Sequence, residues 1–169
     1  MQRRQFLQAG SGLVVSFSFA LNAQGQTQGQ ITAKSMVKTQ VGAWLGMGAD
    51  GRVTVYSGKV DLGTGVRTAL MQMVAEELDV DLSHIDMVMG DTLTTLDQGQ
   101  SAGSLSLQNG GATLRQAAAS ARHALLATTA SRWQVSVDNL VVNSGVISTR
   151  QGDRKISYAA LLDGTPLNV

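Results

Sequence analysis

The stretch "SGKVDLGTGVRTALMQMVAEEL", residues 57–78, constrains the fold of this chain more than any other. A strand-like run ends near Val60 or Asp61, Gly63 and Gly65 permit positive φ or close backbone approach, and a helix follows. From residue 66 to about 79, Val66, Leu70, Met73, Val74 and Leu78 recur at spacings of three and four, while Arg67, Glu76 and Asp79 fall mostly on the other side. The first amides of a helix lack internal partners and carry partial positive charge, so such an entry is either a structural cap or an anion site, with Thr64 or Thr68 offering a hydroxyl. It is not a Walker P-loop, because Lys59 precedes the glycines instead of following them, and the dinucleotide fingerprint fails for want of a third glycine.

The surrounding pattern predicts an α+β fold. Two short strands, about 43–47 and 52–57, form a hairpin across Gly-Ala-Asp-Gly, with Val53 and Val55 alternating with Arg52 and Thr54. "IDMVMGD", residues 85–91, reads as the strand that completes a strand–helix–strand unit. Residues 92–111 are dense in Thr, Ser, Gln and Gly and read as a long functional loop. A second helix spans 112–133, with Leu114, Ala117, Ala118, Ala121 and Leu125 on one face and Thr128 as a place to fray. "NLVVNSGVIST" reads as a second hairpin and "SYAALL" as a short closing helix. The expectation is a small mixed sheet with two main helices and no internal repeat.

Upstream, "MQRRQFLQAGSGLVVSFSFALNAQGQ" sets Arg3 and Arg4 before an uncharged stretch that lasts until Lys34. Its apolar part, roughly 13–21, is shorter than the ~20 residues that span a bilayer. Residues 1–23 are therefore read as an export signal with a weak small-residue end at Leu-Asn-Ala, and the arginine pair before Phe6 and Leu7 is similar to a twin-arginine signal, which implies a periplasmic location. An ordinary secretory signal or an uncleaved anchor is the alternative, and only in the uncleaved case does the chain touch a membrane. Residues 24–40 are Gln/Gly-rich and read as a linker, leaving 41–169 as the folded domain.

Composition narrows the chemistry. The chain has no cysteine, so it builds no disulfide and no cysteine-ligated zinc or iron–sulfur site of its own. With 13 basic and 12 acidic residues and no basic stripe, it is not read as a nucleic-acid binder. His84 and His123 are too few for a metal site, and Glu76, Glu77, Asp79, Asp86, Asp91 and Asp97 read as solvated or turn-forming. Trp44, Trp133 and the methionines read as packing. Ser101 and Ser104 lack a histidine partner, which argues against a hydrolase triad.

A second polar loop, "GDTLTTLDQGQSAGS", follows the glycine turn by 25 to 40 residues, and two such loops at one edge would clasp a large polar ligand. The whole run "GKVDLGTGVRTALMQMVAEELDVDLSHIDMVMGDTLTTLDQGQSAGSLSLQNGGATLRQAAASAR" resembles the first molybdopterin-binding segment of the large subunit in the xanthine dehydrogenase and aldehyde oxidase family. The likeness covers roughly 42–148 and points to the exported isoquinoline 1-oxidoreductase, nicotinate dehydrogenase and aldehyde dehydrogenase branch. It implies a molybdenum hydroxylase that inserts water-derived oxygen into an N-heteroaromatic ring or an aldehyde. In that family molybdenum sits on a molybdopterin, commonly the cytosine dinucleotide form in bacteria, and electrons pass to iron–sulfur clusters on a small subunit. A cytochrome c acceptor outside the cytoplasm is implied likewise.

The resemblance assigns cofactor contacts to Gly63, Thr64 and Gly65 and to Gln98, Gly99, Ser101, Gly103 and Ser104. Thr64 stands where the family often carries a metal-facing glutamine, which leaves it a hydroxyl donor and leaves Gly63 and Gly65 a backbone role. No residue matches the family's general-base glutamate, so no catalytic or metal-ligating residue is expected here. The chain is expected to be the N-terminal part of such a subunit, inactive without the remaining part. A non-catalytic assembly module, or a periplasmic protein binding a small anion, would be the other readings.

Overall fold

The computed structural model describes Leu13–Val14 and residues 41–162. The predicted linker, and the predicted signal apart from Leu13–Val14, lie outside the described residues, as does the end of the chain after Leu162. The first sheet has four strands in the order β1 (Leu13–Val14), β2 (Leu45–Met47), β3 (Val53–Ser57) and β4 (Ile85–Met89). β1, β2 and β3 pair antiparallel, and β3 pairs parallel with β4, from Val53 opposite Ile85 to Ser57 opposite Met89. A parallel neighbour needs a crossover, and α1 (Val66–Leu78) supplies it. The mixed sheet is thus as expected.

Local chemistry trims the predicted ends. Residues Val41–Ala43 wind into a 3-10 turn, with the Trp44 amide donating to the Val41 carbonyl, so β2 starts later than expected. β4 stops at Met89 because Gly90 has φ +61° and Asp91 opens a turn whose carbonyl accepts from the Thr94 and Thr95 amides. α1 ends where Asp79 adopts the left-handed conformation.

The predicted loop 92–111 is not wholly irregular, since Ser106–Gly111 forms a π-helical turn that runs into α2 (Ala112–Trp133). Gly110 and Gly111 are buried there, and a Cβ on Gly111 would lie 2.8 Å from the Met73 sulfur, so glycine lets the start of α2 close on α1. α2 does not fray at Thr128. The next residue, Thr129, is fully buried and donates its hydroxyl to the Leu125 carbonyl.

The core lies between the first sheet and the two helices: Val53 and Val55 face Leu70, Val74 and Leu78 of α1 and Leu114, Ala118 and Leu125 of α2. A second antiparallel sheet, β5 (Leu140–Asn143), β6 (Val146–Thr149) and β7 (Lys155–Ser157), extends the expected hairpin by one strand, and α3 (Tyr158–Leu162) closes it. Tyr158 anchors this layer, its hydroxyl donating to the Leu78 carbonyl at 2.9 Å while burial pushes its pKa up. Trp44 is buried and Trp133 packs against the core, whereas His84 and His123 are exposed. Among the described residues no group of three His, Cys, Asp or Glu clusters as a metal site, and no helix is long and apolar enough to cross a membrane.

Candidate functional site

β3 and β4 are parallel neighbours, so the chain leaving Ser57 and the chain leaving Met89 emerge at the same end of the sheet. Their loops meet there. A Cβ on Gly58 would collide with the Leu96 carbonyl oxygen, so the two backbones are in direct contact. Gln98 turns its side chain back into this junction: its Oε1 accepts from the Ser57 hydroxyl at 2.8 Å and the Gly58 amide at 2.7 Å. The buried Lys59 reaches across as well, donating from Nζ to the Gln100 carbonyl at 2.6 Å and the Gly99 carbonyl at 3.4 Å. Next in line, the Val60 amide donates to the Ser101 hydroxyl oxygen at 2.8 Å. Four successive residues of one loop thus hold four successive residues of the other.

The glycine turn itself answers the question of cap or anion site. Asp61 Oδ1 accepts from the amides of Gly63, Thr64 and Gly65 at 3.0, 2.9 and 3.2 Å, and from the Thr64 hydroxyl at 3.3 Å. Asp61 Oδ2 takes the Arg67 amide at 3.1 Å. The chain's own carboxylate therefore fills the place that an external anion would take at the start of α1. The Arg67 amide first, and the amides of the turn with it, hold the Asp61 pKa below the ordinary carboxylate value. Gly63 and Gly65 have φ of +85° and +74°, and nothing lies within 4 Å of a Cβ placed on either. Their role in the fold is to turn the chain, and one face of that turn stays open.

Beside the turn runs a cleft of about 340 Å³, lined by Thr64, Gly65 and Val66 on one side and by Ser101, Gly103, Ser104 and Ser106 on the other, with Val60, Leu62 and Leu107 at its edges. Gly103 and Ser104 are consecutive residues with positive φ, +60° and +59°. For serine this is an uncommon conformation, and it turns the loop outward at the cleft wall. Ser101 accepts a hydrogen bond from Val60 and keeps its own proton to donate, because a hydroxyl both donates and accepts.

Of the eight residues assigned from the sequence, the structure brings Thr64, Gly65, Ser101, Gly103 and Ser104 together around this cleft. Gly63 lies in the turn behind it, bound to Asp61. Gln98 and Gly99 belong to the junction: Gly99 donates its amide to Asp97 Oδ1 at 2.7 Å and offers its carbonyl to Lys59. Sequence reasoning passed over Asp61, Lys59 and Ser106. An Asp placed two to four residues before the amides of a helix start is a capping signal, so Asp61 was legible. Nothing in the sequence marks Lys59 as buried.

The comparisons with known proteins agree on one family. A family model described as molybdopterin cofactor-binding domain matches residues 2–166. The chain is 38% identical over 125 residues to a nicotinate dehydrogenase subunit of Pseudomonas putida, covering 74% of this chain and 10% of that protein. It is 35% identical over 172 residues to the beta subunit of isoquinoline 1-oxidoreductase from Brevundimonas diminuta, covering 96% of this chain and 22% of that protein. Among solved structures, reconstituted CO dehydrogenase from Oligotropha carboxidovorans superposes with a TM-score of 0.64 at 21% identity, over 74% of this chain and 16% of that chain, which shows a shared fold. The chain thus spans a small part of the length of each relative.

Proposed function

The chain belongs to the molybdopterin cofactor-binding domain family, and on that premise we propose that the cleft between the glycine turn and the 101–107 loop is one wall of the cofactor site of a molybdenum hydroxylase large subunit. The observation that carries this reading is the junction itself, in which Gln98, Lys59 and Ser101 lock two loops together and leave hydroxyls of Thr64, Ser104 and Ser106 along one cleft. When bound, the molybdenum–pterin group supplies the redox chemistry that moves oxygen from water to substrate. The chain's own residues bind and orient it.

The fit is specific about which atoms take part. The amides of Gly63, Thr64 and Gly65 are engaged by Asp61, so the residues that would hold the phosphate or pterin oxygens are Ser101, Ser104 and Ser106, through their hydroxyls. The open face over Gly65, which lines the cleft, lets a flat group lie against bare backbone. Val60, Leu62 and Leu107 line the cleft and are exposed, Leu62 at 72%. An apolar rim on a polar cleft is what a second wall would cover, and the rest of the large subunit is the proposed cover.

The finer features rest on the resemblance to the xanthine dehydrogenase and aldehyde oxidase family alone. The proposed cofactor is the cytosine dinucleotide form, the proposed electron path runs through an iron–sulfur small subunit to a cytochrome c, and the proposed location is the periplasm by the twin-arginine route. The substrate class is an N-heteroaromatic compound or an aldehyde, in line with the names of the similar nicotinate dehydrogenase and isoquinoline 1-oxidoreductase chains. No step of the reaction is assigned to a residue of this chain alone. The capture of the turn amides by Asp61 favours one second reading, an assembly module that keeps the fold without the cofactor. Co-expression with the remaining large-subunit sequence and the small subunit, followed by molybdenum and pterin analysis, separates the two. Both should be present in the purified complex; a fully assembled complex with neither would leave the assembly module standing.

A further inference from the structure

We propose that Lys59 is the counter-charge of the cleft: its buried ammonium group polarises the two peptides that precede Ser101, so that their N–H ends and the Ser101 hydroxyl take a phosphate group of the cofactor. The proposal rests on the reading of the cleft as a cofactor wall and names the charge that such a wall needs. Among the residues that line the cleft there is neither a lysine nor an arginine. Phosphate binding there must draw its positive potential from behind the wall.

Lys59 is 4% exposed, and lysine is seldom buried so deeply without a partner of opposite charge. Among the described residues it has none: the ion pairs are made by Arg52, Arg115 and Arg122. The carboxylates beside the junction are occupied otherwise, since Asp61 holds the amides of the glycine turn and Asp97 accepts from the Gly99 amide. Nζ meets two backbone carbonyls instead, Gln100 at 2.6 Å and Gly99 at 3.4 Å. Carbonyl dipoles solvate a cation without cancelling its charge, and a buried charge that is not cancelled is costly. Tying two loops together calls only for a neutral donor, so the charge exceeds what that task requires.

The charge is also aimed. The Lys59 stem lies against Gly110, where an added Cβ would come 3.6 Å from its Cγ, so the start of the π-helical segment keeps the side chain in place. The Gln100 carbonyl and the Ser101 amide belong to one trans peptide, as do the Gly99 carbonyl and the Gln100 amide. With each oxygen turned to the ammonium group, each N–H points the opposite way and gains partial positive charge. Neither amide donates to an acceptor among the described residues. Ser101 stands on the cleft wall, and its hydroxyl, having accepted from Val60, has a proton to donate. Successive polarised amides beside a hydroxyl suit a phosphate oxygen.

The test uses the complex of this chain with the rest of the large subunit and the small subunit, made in cells that synthesise no molybdopterin and titrated with inorganic pyrophosphate. The unsubstituted complex should bind pyrophosphate, Lys59→Gln should bind it about tenfold or more weakly, and Lys59→Arg should recover most of the affinity. Glutamine keeps a donor for the loop carbonyls, so a role in loop packing alone would leave the affinity of Lys59→Gln unchanged, and that result would overturn the proposal. An unsubstituted complex that takes no pyrophosphate would overturn it too. If Lys59→Gln does not assemble, ionic strength decides: affinity in the unsubstituted complex should fall as salt rises, and binding indifferent to salt would count against the charge. The cofactor reading fails separately. A complex that binds pyrophosphate through Lys59 but acquires no molybdenum or pterin when cells supply both would sink that reading and leave the charge standing, whereas full loading that ignores Lys59→Gln would sink the charge alone.

Discussion

The glycine turn 61–65 and the loop 101–107 flank the same cleft, and the first looks more like a ligand site in sequence while the second has more to offer a ligand in space. In the turn, one carboxylate, Asp61, takes four amides and a hydroxyl, so these donors of the helix start are already engaged. In the loop, Gly103 and Ser104 hold two successive left-handed conformations and Ser104 stays exposed at the cleft wall. The difference teaches that a glycine-rich helix entry binds an anion only when the chain itself brings none.

Between the two lies the junction, where the largest effect is expected. Gly58→Ala would drive a methyl group into the Leu96 carbonyl and cost about 2–4 kcal/mol of stability, read from denaturant unfolding. A neutral result would mean that the loops can part without loss. Lys59→Met removes the donor to the Gln100 and Gly99 carbonyls and should cost about 1–3 kcal/mol, with faster amide exchange confined to residues near 98–101. Exchange that rises equally in the glycine turn would erase the distinction between the two regions.

Asp61→Asn is a smaller perturbation with a defined pH signature. The folded pKa of Asp61 is lowered, so its contribution to stability is complete above the unfolded value of about 3.9 and is lost as pH falls through the folded value below it. The wild type should therefore be more stable than Asp61→Asn at neutral pH, and the two curves should converge in acid. A gap that persists unchanged at the lowest pH would show that Asp61 is not the cap described. The smallest stability effect is expected for Ser104→Ala, within about 0.5 kcal/mol, because the side chain is exposed.

Much of the fold was legible because its main elements carry strong periodicity. Val66, Leu70, Val74 and Leu78 mark α1, and the Leu114–Leu125 face marks α2, which runs to Trp133 as expected. β7 escaped because Lys155–Ser157 is three residues long with no buried position to set an alternation. The π-helical turn at Ser106–Gly111 escaped because its composition, Ser, Leu, Gln, Asn and two glycines, reads as a loop, and only its packing on α1 orders it. The site was half legible for a similar reason. Glycines and hydroxyls can be seen in a sequence, but whether an amide is already engaged depends on where a carboxylate such as Asp61 or an amide such as Gln98 folds back.

The central claim is that the cofactor is held from the serine loop and not from the amides of the glycine turn. The measurement that tests it most directly is the molybdenum and pterin content of the assembled complex carrying Ser101→Ala, Ser104→Ala and Ser106→Ala together, set beside Asp61→Asn. The triple serine variant should assemble with its molybdenum and pterin largely lost, while Asp61→Asn keeps most of both. Full cofactor in the serine variant, with loss in Asp61→Asn, would contradict it.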